Sequence, residues 1–251
     1  NNIGAEGVVA LLPALQGRML MKGLNISKNS IGTDGARALA PVLQGMTLMK
    51  DLGIDENSIG AEGVVTLLPA LLGMTQMEYL WIGENNIRAE GVVALLPALQ
   101  NMKQMRDLNL EGSHIRTEGA RVLAPALEVM ADLRKLHLSE NNIGAEGAAA
   151  LASALQGMRN LRVLKLGTNE IGDEGIRALI PAFRVMIHLE ELYLLENKIS
   201  DEGVRALCPA VSAMAQLKKM DLSKNCIGAG GMELLFPLRA AIENQNGEIM
   251  V

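Results

Sequence analysis

Apolar residues follow two rhythms that alternate along the whole chain. Short runs such as LRKLHLSEN, at 133–141, alternate leucines with polar residues at Leu136 and Leu138, which is typical of a strand with one buried face. Longer stretches such as GAEGVVALLPALQGR, at 4–18, show the second rhythm, because Val8, Leu11, Leu12 and Leu15 are spaced as on one helix face. The pattern therefore predicts strands and helices in strict alternation.

The two rhythms recur with a period of 28 residues. Asparagine stands two residues before each isoleucine of the repeated column, with Ser113 as the exception. Because the period does not slip, we interpret residues 1–251 as one array rather than two domains. The isoleucine column is Ile3, Ile31, Ile59, Ile87, Ile115, Ile143, Ile171, Ile199 and Ile227.

Repetition of one strand and one helix fixes the expected topology. Successive strands joined through helices must be parallel. Strands stack at about 4.8 Å, whereas helices need about 10 Å, so the array should curve with its strands inside. We predict an α/β fold, a right-handed horseshoe of 28-residue repeats with about eight parallel strands on the concave side and helices on the convex side. Residues 228–251 are expected to form a C-terminal capping unit, and a cap and earlier repeats are expected before residue 1.

Local signals add detail to the helices. Eight predicted helices have an acidic residue in their first turn, such as Glu62, which the helix dipole favours. Side chains suited to N-caps stand one position earlier in four units, at Thr33, Thr117, Asp173 and Asp201. A proline recurs well inside the helical stretch, so we expect bent helices with a 3₁₀ portion.

The pattern LxxLxLxxNxI, followed by an acid–glycine pair and helical leucines, resembles the leucine-rich repeat of the ribonuclease-inhibitor-like subclass. Its regularity is most similar to the repeats of NOD-like receptors. Ribonuclease inhibitors are richer in cysteine, and the Ran GTPase-activating protein has an acidic tail that the ending IENQNGEIMV lacks. The resemblance implies that leucine, methionine and the isoleucine column fill the core, and that the asparagines bond to backbone groups of neighbouring turns.

Charge and composition limit the classes of partner that we expect. A net charge of −5 from 23 basic and 28 acidic residues gives no basic stripe, so no nucleic-acid partner is expected. No apolar run approaches the roughly 18 residues that span a bilayer, so no membrane partner is expected. Only Cys208 and Cys226 occur, which favours a reducing compartment and a cytoplasmic location.

Motifs for catalysis are missing from the sequence. The three histidines show no short metal-binding spacing, and neither a CxxC pair nor a GxxxxGK[ST] loop occurs. We therefore predict a protein that is not an enzyme and has no cofactor, no metal site and no catalytic residues.

Variable residues on the outward face of the strands are the candidate site. This face holds every Trp and Tyr of the chain. Trp81 is flanked by Gly53, expected to leave one side of its ring open, and by carboxylates that suit a cationic group. A basic patch and a second apolar spot, about 19 Å away at the strand spacing, favour a protein or an extended polymer as the partner. The predicted binding residues are Tyr79, Trp81, Asp51, Asp55, Asp107, Glu111, His137, Lys165 and Tyr193.

The consensus breaks close to this site. Arg88 and Arg116 replace the glycine of other units, and the segment Glu111–His114 lacks the usual asparagine. Two interpretations remain open: decay of the repeat, or a rim of the same site with a weak point in the asparagine column.

The function predicted from these patterns is recognition. The first hypothesis is the sensing domain of a cytosolic innate-immune receptor resembling NOD-like receptors. The alternatives are a stand-alone inhibitor or scaffold that grips a basic protein on the concave face, and a GTPase activator resembling the Ran activator, for which Arg88 is the one candidate residue.

Overall fold

The structure, a computed structural model, describes residues 1–243 and 247–251, and its helices and strands alternate throughout. The helices are α1 Gly4–Leu15, α2 Gly32–Leu43, α3 Gly60–Gly73, α4 Arg88–Leu99, α5 Arg116–Glu128, α6 Gly144–Gly157, α7 Gly172–Phe183, α8 Asp201–Val211 and α9 Ala229–Glu243. The strands are β1 Gly23–Asn25, β2 Asp51–Gly53, β3 Tyr79–Trp81, β4 Asp107–Asn109, β5 Lys135–His137, β6 Val163–Lys165, β7 Glu191–Tyr193, β8 Lys219–Asp221 and β9 Glu248–Met250.

All described strands form one parallel sheet in chain order, β1 to β9. Equivalent residues pair across neighbouring strands, so Leu52 pairs with Leu80 and Leu80 with Leu108. The 28-residue offset holds as far as β8, and the last pair, Met220 with Ile249, is offset by 29. The predicted α/β repeat solenoid is thus confirmed, with nine described strands rather than about eight because Glu248–Met250 also pairs with the sheet.

The core lies between the sheet and the helix layer. The central strand residue Leu80 and the following Ile82 and Ile87 are fully buried, as are their counterparts in most units. Methionines of the two repeated columns, such as Met74 and Met77, are buried beside them. These residues fill the space between strand and helix, as the sequence predicted.

Asparagines tie each unit to the next, and we call the column Asn29, Asn57, Asn85, Asn141, Asn169, Asn197 and Asn225 the asparagine ladder. The side-chain oxygen of Asn169 accepts from the main-chain N–H of Asn141 and Ile143, at 3.1 and 3.3 Å. Its Nδ2 donates to the carbonyls of Leu138, Leu166 and Gly167. One buried amide therefore satisfies five backbone groups of two units, which confirms the expected role.

Ser113 interrupts the asparagine ladder. Its own N–H donates to Asn141 Oδ1 at 3.1 Å, but its hydroxyl reaches only the carbonyl of Glu111, at 3.3 Å. Within residues 1–243 and 247–251, no acceptor is found for the main-chain N–H of Asn85 or Ile87. The shorter side chain leaves a gap of two unsatisfied donors, so this segment contains the weak point that the sequence suggested.

The predicted N-caps were wrong. Ile31 and Ile115 hold the N-cap positions of α2 and α5, with no side-chain cap. The hydroxyl of Thr33 instead donates to the carbonyl of Ile59, at 2.9 Å, and that of Thr117 to Ile143, at 2.8 Å. These side chains lie one position inside the helix, and from there they point to the next unit.

Asp173 and Asp201 likewise bond across units instead of capping their own helices. Asp173 accepts from the N–H and hydroxyl of Ser200, at 2.8 and 2.6 Å. Asp201 accepts from the N–H of Gly228, at 2.7 Å. Ser200 is the residue that caps α8, through the N–H of Glu202 at 3.2 Å.

The recurring proline does not introduce a 3₁₀ segment in the described helices, so that expectation was also wrong. Pro69, for example, lies inside the continuous α3 on its exposed side. The carbonyl four residues earlier, at Val65, belongs to a residue that is 56% exposed, so water can replace the missing N–H.

Candidate functional site

The sheet has one face covered by helices and one face without them, and we call the second the open sheet face. In β3, Leu80 is buried while Tyr79 and Trp81 on either side are half-buried. Strand pleating turns alternate side chains to opposite faces, so both aromatic rings belong to the open sheet face. Trp81 pairs with Gly53 on one side and Asn109 on the other.

A cavity of about 450 Å³ lies on this face around Trp81. It brings together six of the nine predicted residues, from strands β2 to β6 and the segments that follow them. Opposite charges meet there, with carboxylates and lysines both on its wall. Its lining is Asn25, Ser27, Lys28, Asp55, Trp81, Asp107, Asn109, Glu111, Lys135, His137 and Lys165.

Three predicted residues lie outside that lining. Tyr79 and Asp51 are on β3 and β2 but do not line the cavity. Tyr193 lines an adjoining cavity of about 270 Å³, which shares Glu111 and Lys165 with the first. The open sheet face therefore carries a chain of connected depressions rather than one pocket.

Gly53 does not leave one side of Trp81 open, contrary to the sequence-based expectation. A Cβ atom built on Gly53 would lie 2.8 Å from the side chain of Asn25. The amide of Asn25 thus occupies the space over the glycine, and it is held by the N–H of Ser27, which donates to Asn25 Oδ1 at 3.0 Å.

The carboxylates near Trp81 differ in their surroundings. Asp55 accepts a hydrogen bond from the hydroxyl of Ser27. Asp107 is only 6% exposed, and its Oδ1 is buried without a hydrogen-bond partner in the part of the chain that the structure describes. Burial raises the pKa of Asp107, an effect that the neighbouring Trp81 side chain partly offsets. Burial also raises the pKa of Glu111.

His137 is neutral at pH 7. Burial, reinforced by the charges of Lys165 and Lys135, lowers its pKa from 6.5 to about 4. Its Nε2 lies 3.5 Å from Asp107 Oδ1, beyond the usual hydrogen-bonding range. The imidazole therefore does not supply the positive charge that would neutralise Asp107.

The ring of Tyr193 lies close to two lysine side chains of the protein. The ammonium groups of Lys165 and Lys219 lie 5.5 and 5.7 Å from the centre of its ring. Its hydroxyl donates to Glu191 Oε2 at 2.8 Å. Burial and this bond raise the pKa of Tyr193 to about 12. Its face and its hydroxyl are both already engaged within the protein.

Lys28 was missed by the sequence reasoning. It follows β1 and pairs with Glu56, 2.6 Å from Nζ to Oε1. The residue directly before the asparagine column is charged in most units, and this pattern could have identified Lys28 as a candidate. The alternation that selected outward strand residues ends before this position and could not include it.

A second cavity, of about 580 Å³, lies where Arg88 and Arg116 replace glycine. Both arginines have positive φ angles, of 58° and 57°, like the glycines of equivalent units such as Gly60 and Gly144. The second cavity shares no lining residue with the Trp81 cavity, so Arg88 and Arg116 do not line the Trp81 cavity. Non-glycine residues are strained in this conformation.

The described residues contain neither a metal-binding cluster nor a membrane-spanning helix. Among residues 1–243 and 247–251, no group of three or more His, Cys, Asp or Glu side chains is placed to hold a metal ion. No helix in those ranges has the length and apolar character needed to cross a bilayer. Cys208 and Cys226 are free thiols.

Parallel strands in chain order, helices on one face and a buried asparagine ladder define a leucine-rich-repeat solenoid. A family model described as "Leucine Rich repeat" matches residues 20–40, 130–152, 157–179, 185–208 and 216–236. The chain therefore contains repeats of this kind, as the sequence predicted. The ribonuclease-inhibitor-like subclass and the likeness to NOD-like receptors stay predictions.

Two solved structures share the fold. Internalin C2 from Listeria monocytogenes superposes with a TM-score of 0.61 at 20% identity, over 98% of this chain and 90% of that one. A leucine-rich-repeat protein of Leptospira interrogans superposes with a TM-score of 0.50 at 18% identity, over 92% of this chain and 60% of that one. At such identities the likeness concerns the fold alone. No curated protein matches the sequence.

Proposed function

We propose that this protein is a non-enzymatic recognition module that binds a protein or an extended polymer on its open sheet face. The observation that carries the proposal is the placement of Tyr79, Trp81 and Tyr193, which are all the Trp and Tyr residues of the chain, on that face. Tryptophan and tyrosine are enriched at the centres of protein interfaces. A leucine-rich-repeat solenoid offers such a face as a broad and rigid surface.

The shape of the site supports a large partner. The Trp81 and Tyr193 cavities adjoin each other and together extend across residues of β1 to β8. At about 4.8 Å per strand, this distance exceeds the reach of a small metabolite. Carboxylates and lysines share the surface, so charge complementarity would select the partner and its orientation.

The finer proposal is a sensing domain of a cytosolic innate-immune receptor, with the face predicted to be concave as its ligand surface. Its support is the regularity of the repeat, which resembles that of NOD-like receptors. The two free cysteines are compatible with the proposed cytoplasmic location.

A second candidate is an inhibitor or scaffold for a basic protein. The specific observation that favours it is Asp107, whose buried Oδ1 has no hydrogen-bond partner among the described residues. Under this proposal the partner is cationic, and binding weakens steeply with salt.

An interaction screen tests whether the open sheet face binds at all. The Tyr79→Ala, Trp81→Ala double variant should lose the partners that the original chain captures. Phe236→Ala is the matched control, because Phe236 is a 73% exposed aromatic on helix α9. If the double variant keeps its fold by circular dichroism and also keeps every partner, the proposal is wrong.

A further inference from the structure

The Trp81 cavity contains a buried carboxylate oxygen that no group of the described residues bonds. Asp107 is 6% exposed, lines the cavity, and has no partner for its Oδ1 within the described residues. A carboxylate removed from water is costly unless it is paired or hydrogen-bonded. Its near neighbour His137 is neutral at pH 7 and 3.5 Å away.

Another buried aspartate on the same sheet is hydrogen-bonded within the protein. Asp221 is 8% exposed, and its Oδ1 accepts from the N–H and hydroxyl of Ser223, at 2.9 and 2.6 Å. The fold can therefore satisfy a buried aspartate from the segment that follows its own strand. Asp221 ends β8, whereas Asp107 begins β4, and no such bond reaches Asp107 Oδ1 among the described residues.

The aromatic residues show the same contrast. The ring of Tyr193 has two lysine ammonium groups within 6 Å, at 5.5 and 5.7 Å. No lysine or arginine of the described residues is placed over Trp81. Indole is the aromatic group that attracts cations most strongly. One external cation would meet both the unpaired carboxylate and the unoccupied ring.

The lysines that line the cavity do not supply this cation. Lys28 pairs with Glu56 at 2.6 Å, and Lys165 is placed over Tyr193. Lys135 is near enough to lower the pKa of Asp107 but forms no salt bridge with it at 4 Å or less. Lys135 is thus the internal group that would compete with an external cation.

We propose that the Trp81 cavity binds the ammonium or guanidinium group of a basic side chain, presented by an extended peptide segment of the partner. The cation pairs with the carboxylate of Asp107 at the cavity wall and lies against the indole of Trp81, while Asp55 and Glu111 add negative potential. This assignment rests on the proposed function of the open sheet face and names the chemistry that the face recognises there.

Trp81 makes the site directly observable, because it is the only tryptophan in the chain. The probes are an acetylated and amidated tetralysine peptide and the corresponding tetraglutamate peptide, titrated at about 0.15 M salt to screen distant charges. Tetralysine should change the Trp81 fluorescence saturably, and tetraglutamate should not. Absence of a response to tetralysine would overturn the assignment.

Three variants locate the interaction. Asp107→Asn should weaken tetralysine binding at least tenfold, since it removes one partner of a charge-assisted hydrogen bond. Asp34→Asn, a control of the same charge change on the exposed side of helix α2, should leave binding within twofold. Lys135→Gln should strengthen binding severalfold by removing the internal competitor. Equal weakening by Asp107→Asn and Asp34→Asn would show an effect of net charge only and would overturn the proposal.

Different results would refute the cation assignment and the proposed function. If tetralysine binds Asp107→Asn as tightly as the original chain, the cation assignment is wrong even where the Tyr79→Ala, Trp81→Ala variant loses its partners. If that double variant loses no partner, the recognition function of the face fails instead.

Discussion

The central units, from β3 to β5, differ from the C-terminal units, from β6 to β8, in how fully they satisfy their own polar groups. Around β6 to β8 the asparagine ladder is continuous, Asp221 is hydrogen-bonded, and Tyr193 has two lysines beside its ring. In the central units the ladder is interrupted at Ser113, and Asp107 Oδ1 has no partner among the described residues.

We propose that the departures in the central units serve the candidate site rather than reflecting general decay of the repeat. A folded sequence is usually consistent at every level, and its exceptions concentrate at functional sites. Here a buried carboxylate oxygen without a partner, an indole ring with no lysine or arginine of the described residues over it, and two strained arginines lie within consecutive units. If these contacts matter energetically, the two regions should respond differently to substitution.

The largest effect is expected in the intact part of the ladder. Asn169→Ala removes five hydrogen bonds and leaves buried backbone groups unsatisfied, so it should lower the free energy of unfolding by about 3–4 kcal/mol. Ser113→Ala, the matched change at the break, should cost less than about 1 kcal/mol, because one long bond is lost. Urea unfolding of the two variants measures both values, and equal losses would contradict the comparison.

The next effect depends on pH and involves His137. Its folded pKa, about 4, lies below the ordinary value of 6.5, so the unfolded chain takes up the proton first on acidification. Stability from this group is complete above pH 6.5 and is lost as the pH falls towards 4. The loss should reach about 2.5 kcal/mol at pH 4.5.

His137→Asn should remove that loss, and Asn109 shows that asparagine fits the equivalent position. The buried carboxylates Asp107 and Glu111 have raised pKa values and act with the opposite sign, so the difference between the variant and the original chain isolates the histidine. The measurement is the free energy of unfolding at pH 7.5 and 4.5. A pH dependence identical in both proteins would show that His137 is not buried as described.

Repairing the ladder should stabilise the central units. Ser113→Asn restores an acceptor for the N–H groups of Asn85 and Ile87 in a position that asparagine occupies in the other units. The expected gain is about 1–2 kcal/mol. Hydrogen exchange should show slower exchange of these two amides, which a nonspecific gain in stability would not single out. Destabilisation by this change would mean that the gap is filled by other groups.

The smallest effect concerns the left-handed positions at the starts of α4 and α5. Arg88→Gly should raise stability by about 0.5–1 kcal/mol, because glycine adopts a φ near 58° without strain. Gly172→Arg, at a φ of 60° with open space around it, is the reverse control and should lower stability by a similar amount. Thermal unfolding of both variants provides the comparison. A loss of stability in Arg88→Gly would show that the arginine side chain compensates for its strain.

The fold was largely predictable because the same pattern of strand and helix residues recurs in every unit. A period of 28 fixes which leucines and isoleucines enter the core, and the structure buries Leu80, Ile82 and Ile87 accordingly. Local details were less predictable. Thr33 and Asp173 have the chemistry of N-caps, but contacts between units direct both side chains to the following repeat.

The candidate site was predictable only in part. Alternation identified Trp81 and most of the residues around it, since pleating alone decides which face a strand residue occupies. The space over Gly53 was misjudged because the side chain that covers it, Asn25, comes from the neighbouring unit. Such contacts depend on rotamers and on residues 28 positions away, which no local pattern specifies.

The sequence by itself determined the layers, the parallel order of the strands and the identity of the outward residues, because these follow from periodicity. Only the tertiary structure decided that Asp221 has a hydrogen-bond partner while Asp107 Oδ1 has none among the described residues, and that Tyr193 has neighbouring cations. The reason is physical: the free energy of a buried charge depends on the few ångströms around it, and those distances are set by packing between units.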